Sequence, residues 1–174
     1  NNHSVVTFIG RPLLDIFLNE FGLTQEQTDR AIHHYREHWD ARNQAGSQIY
    51  EDIQDVLSEL QQAGFSLFIA TVKPTRIAEK VLEDLALRSY FDGVAGSSMN
   101  HERREKTQII AHALQKFSLD PLTTIMIGDR QQDIVGAREN GVATMAVTYG
   151  FGTREELLAV EPDHMVDHSR GIAS

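Results

Sequence analysis

Apolar residues at the start of the chain recur at helical spacing. Leu13, Leu14, Ile16, Phe17 and Phe21 follow Arg11-Pro12 in this way and predict a short helix that Gly22 ends. Thr24 with Gln27 reads as a capping box. A long polar helix follows to about Asn43, with Ala31, Tyr35 and Trp39 on one face, and residues 44–47 read as a connection. Up to this point the pattern is all-helical.

From Tyr50 the pattern alternates between helix and strand periods. Ile53, Val56, Leu57 and Leu60 predict a helix stopped by Gly64, and Leu67–Ala70 a strand ending at Thr71. A helix opens at Pro74 or Thr75 with Ile77, Val81, Leu82 and Leu85, followed by a short strand over residues 91–95. Residues 102–117 are helical, with Ile109, Ile110 and Leu114 apolar, and residues 124–127 form a strand. A helix runs on to Asn140 with Gly141 as its stop, then a strand over residues 143–147. Thr153 and Glu156 form a second capping box for a helix through Val160, and Met165-Val166 is an edge strand. Strands alternating with helices of this length predict βα units on a parallel sheet.

The 174 residues suffice for one domain plus a small insertion or cap. At 41% hydrophobic and 24% charged the composition is that of a globular protein, and no apolar run approaches the length of a membrane span. The net charge of −9 and scattered Lys and Arg argue against nucleic acid as a partner; the densest cluster, Arg103-Arg104 with Lys106, is interrupted by Glu102 and Glu105. The absence of cysteine excludes disulfides and fits a cytoplasmic location. The chain opens at Asn1 without Met and shows no charged-then-apolar leader.

The candidate chemistry lies at strand ends. The strand over residues 124–127 runs into Gly128-Asp129, and Asp133 falls in the first turn of the next helix. Two carboxylates at a strand tip suit Mg²⁺ and a phosphate substrate, although acids at a helix start also serve as ordinary caps. Thr71, with free amides of Val72 and Lys73 ahead of a helix start, can hold a phosphoryl oxygen; a threonine there can equally cap the turn. Lys106, near the start of its helix, can neutralise a phosphate and a carboxylate together, with Lys73 as the rival cation and a solvated surface lysine as the plainer reading. His33, His34, Glu37 and His38 invite a metal reading, because His34 and His38 are one helical turn apart. Nothing supplies a third ligand or a supporting shell, so a solvated helix face is the better reading. Gly150-Phe151-Gly152-Thr153 lacks the third glycine of a dinucleotide fingerprint.

Taken in order, Thr71, Lys106 and Gly128-Asp129 with Asp133, each on a successive strand tip, resemble the haloacid dehalogenase superfamily of phosphohydrolases. Phe8-Ile9-Gly10 with Pro12, the runs over residues 70–74 and 148–152, and Gly128-Asp129-Arg130 with Asp133 and Gly136-Ala137 are similar to its phosphoglycolate phosphatase-like branch. The resemblance covers nearly the whole chain. It implies an α/β fold: a Rossmann-like three-layer core with a parallel sheet over residues 49–174, and a small helical cap of which residues 1–48 would be most. It also implies a Mg²⁺-dependent phosphatase that works through an aspartyl-phosphate on a small phosphorylated metabolite, 2-phosphoglycolate being the branch's namesake. On matching positions Thr71 and Lys106 would be catalytic; Thr71, Val72, Lys73, Lys106 and Arg130 would line the phosphate site; Asp129 and Asp133 would hold Mg²⁺.

The family's first motif, a strand followed by Asp-x-Asp-Gly-Thr, has no counterpart; Asp15 sits in a helical pattern. That motif supplies the nucleophile, the general acid/base and a further metal ligand, on a strand that lies between those ending at Thr71 and Gly128. The expectation is a C-terminal part of a longer protein, inactive alone, with about 40 further residues sufficient for the missing strand, turn and cap helix. The rival reading is a non-catalytic relative that binds a phosphorylated ligand or a protein partner. Within the enzyme class, pyrophosphate, a nucleoside monophosphate or a sugar phosphate are alternative substrates. The apolar face of Leu13, Phe17 and Phe21 would be covered by a missing helix or by a second subunit in a homodimer.

Overall fold

The computed structural model describes Phe8 and residues 11–41, 47–98 and 103–174, the side chains of residues 36–41 excepted. Ile9, Gly10, Asn43, Gln44 and Glu102, and the side chains of Glu37, His38 and Trp39, lie outside the described residues. The chain divides into two compact units, Asn1–Gln48 and Ile49–Ser174.

The first unit is helical. Helix α1 (Leu13–Asp15) continues into a π-helical turn (Ile16–Glu20), and Gly22 ends it at φ +63°. The capping box of α2 (Gln25–Ala41) forms as expected: Thr24 N–H donates to Gln27 Oε1 (2.9 Å) and Gln27 N–H to Thr24 Oγ1 (3.3 Å). The described part of α2 is buried on one stripe. Thr28 and Ile32 are buried, whereas Tyr35 is 44% exposed. Thr28 and Ile32 sit four residues apart on one stripe, and α2 packs against the α1 segment.

The second unit is an α/β core with a parallel sheet between helices. Helix α3 (Ile53–Gln62) precedes β1 (Phe68–Pro74), α4 (Thr75–Asp84), β2 (Gly93–Ser97) and α5 (Lys106–Phe117). Then come β3 (Ile125–Gly128), α6 (Gln131–Glu139), β4 (Ala143–Val147), α7 (Arg154–Leu158) and β5 (His164–Val166). Strand alternation sorts the faces. Ile69 and Val94 pack with Leu57, Ala78 and Leu82 of α3 and α4, while Ala70 and Ala95 pack with Ile109 and Ala113 of α5. Sheet between two helical layers is the Rossmann-like arrangement.

All pairings are parallel, but the strands form two groups, β1–β2 and β3–β4–β5, with β5 at an edge as the sequence indicates. One helical layer spans both groups: Ala70 of β1 and Met126 of β3 join the same cluster with Ile110 and Ala137 of α5 and α6. The backbone edges of β1 and β3 away from their partners are unpaired within the described sheets. Residues of β1 and β3 are only half-buried or exposed, while Gly93–Gly96 of β2 are buried. A parallel sheet is normally most buried at its centre. Here the junction between β1 and β3 is the open part.

Several boundaries differ from the sequence pattern. β1 runs past Thr71 to Pro74 through a register shift between Thr71 and Pro74. Gly96 permits this, since a Cβ there would collide with Lys73 O, and Thr75 Oγ1 accepts from Gly96 N–H (3.0 Å). β2 begins at Gly93 rather than residue 91, because a 3₁₀ turn (Arg88–Tyr90) intervenes. α7 stops at Leu158, short of Val160. A 3₁₀ turn with no sequence signal, Ser169–Ile172, closes onto α3: Ser169 Oγ donates to Glu51 O (2.6 Å), and Arg170 pairs with Asp52, Asp55 and Glu59. No helix among the described residues is long and apolar enough to cross a membrane.

Candidate active site

The ends of β1 and β3 and the starts of α5 and α6 converge on one group of charged side chains. Lys106 is the first residue of α5, whose start is fixed by Glu105 and Gln108 capping one another. Its Nζ donates to Ala70 O at 2.9 Å and lies 2.6 Å from Asp133 Oδ1. The lysine thus bridges β1 to the first turn of α6. Both partners are nearly inaccessible, at 12% and 7% side-chain exposure, so the charges are mutually compensated in a desolvated place. α5 and α6 approach closely at Gly136, and Asn140 Nδ2 donates to Thr107 O (3.0 Å) while Thr107 Oγ1 donates to Glu139 Oε2 (2.6 Å). These bonds fix the helix that carries Lys106.

Each Asp133 carboxylate oxygen has a partner. Oδ1 holds Lys106, and Oδ2 accepts from Arg130 N–H at 3.1 Å. Gly128 lets β3 pass beside it, because a Cβ there would collide with Asp133 Cβ. Asp129 is placed differently. Its Oδ2 accepts from Phe151 N–H at 2.8 Å, and among the described residues no hydrogen bond reaches Oδ1.

Thr71 Oγ1 accepts from Lys73 N–H at 3.2 Å. The Lys73 amide is therefore engaged and not free as the sequence suggested, while the Thr71 hydroxyl proton has no acceptor among the described residues. Val72 turns inward to the Ala95, Ile109 and Ala113 cluster. The Lys73 ammonium is pushed below its ordinary value, by desolvation first and then by Lys106, with Asp129 acting in the opposite sense. Thr71, Lys73, Lys106, Asp129 and Asp133 thus belong to one neighbourhood. Arg130 borders it, but its Nε donates to Glu156 Oε1 at 2.9 Å.

That bond corrects the second capping box. Thr153 Oγ1 accepts from Glu156 N–H (3.1 Å) as expected, but the Glu156 carboxylate takes Arg130 Nε and Gln131 N–H (3.0 Å) and ties α7 to α6. The sequence reading also passed over an aromatic rim. Tyr50 and Tyr149 meet edge to face with centroids 5.2 Å apart, and Phe151 is 49% exposed. Both tyrosine hydroxyls are raised above their ordinary value, by desolvation first, with Asp129 contributing to each. The alternating glycines at 150 and 152 were the available signal, since such glycines mark close backbone approach. His33 and His34 lie exposed on α2, and no group of three or more acidic or histidine side chains among the described residues could hold a metal.

Mg²⁺ takes one or two carboxylates and completes its shell with water and substrate phosphate. Asp129, with Oδ1 open, fits one such ligand. Asp133 fits as the group that sets Lys106 beside it.

Residues 1–147 match the model of the haloacid dehalogenase-like hydrolase family. The chain belongs to that family. This haloacid dehalogenase-like chain is 35% identical over 90% of its length to a 5'-nucleotidase of Pseudomonas aeruginosa, of which it spans 71%. It is 32% identical over 70% of its length to a phosphoglycolate phosphatase of Vibrio vulnificus, of which it spans 53%, about half. The solved structure of a predicted phosphatase from Clostridium acetobutylicum superposes with a TM-score of 0.93 at 34% identity, covering 98% of this chain and 79% of that one.

Proposed function

We propose that these residues form the phosphate- and cation-binding side of a Mg²⁺-dependent phosphatase acting on a small phosphorylated metabolite of the 2-phosphoglycolate type. The observation that carries this reading is Lys106, held between Ala70 O of β1 and Asp133, with the Thr71 hydroxyl and Asp129 in the same neighbourhood. A buried ammonium and an uncommitted hydroxyl proton on one side, and an open carboxylate oxygen on the other, suit a phosphoryl group bridged to a cation. When bound at Asp129, Mg²⁺ would withdraw charge from the phosphoryl oxygens. Lys106 orients and neutralises the same group, and Thr71 donates a hydrogen bond to it. The attacking carboxylate would come on a strand from outside these residues, lying between β1 and β3. Its carboxylate would attack phosphorus as the ester P–O bond breaks, and water would then release phosphate. The unpaired edges of β1 and β3 support that location.

A nucleoside monophosphate is the second reading. The Tyr50–Tyr149 pair and exposed Phe151 offer planar apolar surface beside the site, and the Pseudomonas relative is named a 5'-nucleotidase. Phosphate release by the complete protein from 2-phosphoglycolate, nucleoside monophosphates, pyrophosphate and sugar phosphates, with Mg²⁺ and with chelator, tests both. Turnover of none of them with Mg²⁺ would contradict the phosphatase reading and favour a non-catalytic binding protein.

A further inference from the structure

We infer that the loop Tyr149-Gly150-Phe151-Gly152 is the positioning element for Asp129, presenting its Oδ1 while holding its Oδ2. The inference rests on the reading of Asp129 as the cation ligand. Phe151 N–H donates to Oδ2 at 2.8 Å across a sequence separation of 22 residues. The two glycines that flank Phe151 make the contact sterically feasible. A Cβ on Gly150 would collide with Asp129 Cβ and Oδ2, and a Cβ on Gly152 would collide with Asp129 O. The loop therefore encloses both the carboxylate and the carbonyl of the same residue. Its start is braced by Tyr149 against Tyr50, and its end by Thr153 capping α7, which Glu156 ties to Arg130. The Phe151 ring is half-exposed, and the contact to Asp129 is made by the backbone N–H. Hydrogen bonds to a ligating carboxylate fix its orientation, and their loss typically weakens metal affinity about 10- to 100-fold.

Calorimetric titration of Mg²⁺ into the complete protein tests the inference, with thermal unfolding in chelator as a check on folding. Gly150→Ala and Phe151→Pro, the first pushing on the carboxylate and the second removing the N–H, should each weaken Mg²⁺ binding by about 10-fold or more. Phe151→Leu keeps the N–H and should restore it. Folded Gly150→Ala and Phe151→Pro variants that bind Mg²⁺ as the unsubstituted protein does would overturn the inference, as would an equal loss in Phe151→Leu. An NMR measurement on the unsubstituted protein covers the case in which those variants fail to fold. The Phe151 amide should be protected from exchange in an otherwise exposed loop and should shift on Mg²⁺ addition; an unprotected, unresponsive amide would overturn the inference. A protected amide with no Mg²⁺ binding at all would contradict the cation reading of Asp129 and leave the hold of the loop intact.

Discussion

Lys106 Nζ and Asp133 Oδ1 stand 2.6 Å apart, and the same ammonium reaches Ala70 O at 2.9 Å. One lysine therefore joins β1 to α6 where the strand pairing does not. Removing one member of a buried pair leaves the other charge unpaired, at a cost of about 3 kcal/mol or more. Asp133→Ala should lower stability by that order in urea unfolding at pH 7. The double variant Lys106→Met/Asp133→Leu should lose clearly less than the sum of the single changes. Additive losses would show that the pair is not coupled.

The close approach of α5 and α6 rests on Gly136, where a Cβ would sit 2.9 Å from Thr107 N and 3.2 Å from Lys106 C. Gly136→Val should push the helices apart and cost about 1–3 kcal/mol by overpacking. Because Lys106 rides on the displaced helix start, KM for substrate should rise in the same variant. Unchanged KM in a destabilised variant would separate the helix contact from the site.

Asp163 caps the β4–β5 end of the core. Its Oδ2 accepts from Thr144 Oγ1 (2.6 Å) and Thr144 N–H (2.8 Å), and the Thr144 hydroxyl, then the Thr144 amide, lower its carboxyl below the ordinary 3.8. A carboxylate with a lowered folded-state pKa binds fewer protons folded than unfolded, so it stabilises above about pH 4 and loses that contribution as pH falls through the folded value. Asp163→Asn should melt lower than the unsubstituted protein at pH 7, and the difference should shrink as the pH is lowered through the acid range. A difference that stays constant with pH would contradict the assignment.

Elements with a strong local period were legible in the sequence, and so were the residues at strand ends. Gly128-Asp129 ends β3, Asp133 lies in the first turn of α6, and Lys106 opens α5, because each depends on a strand-to-helix transition marked by its neighbours. What was not legible depends on segments distant in sequence. Glu156 reads locally as a capping-box acid, but Arg130, 26 residues away, offers a charged partner. The extension of β1 beyond Thr71 depends on Gly96 of the neighbouring strand. Tyr50 and Tyr149 meet only through the fold. The burial of Thr28 and Ile32 on α2 has no local signal, because α2 is polar nearly all round and Thr28 is a polar residue.

The open junction between β1 and β3 makes a dynamic prediction. Unpaired backbone amides exchange readily where the sheet is uncovered. In the 174-residue chain, the unpaired-edge amides of β1 and β3 should exchange faster than the paired amides joining β1 to β2 and β3 to β4. In a protein that also carries the proposed intervening strand, the same amides should become protected. Equal protection in both would contradict a strand inserted at that junction.

On the proposed reading, Asp129 holds the cation of a phosphatase. Phosphate release by the complete protein in saturating substrate and Mg²⁺, compared with Asp129→Ala, tests it most directly. A fall of about 100-fold or more, with thermal stability retained, is the predicted result, in line with the several kcal/mol a catalytic cation supplies. Turnover equal to that of the unsubstituted protein would contradict it.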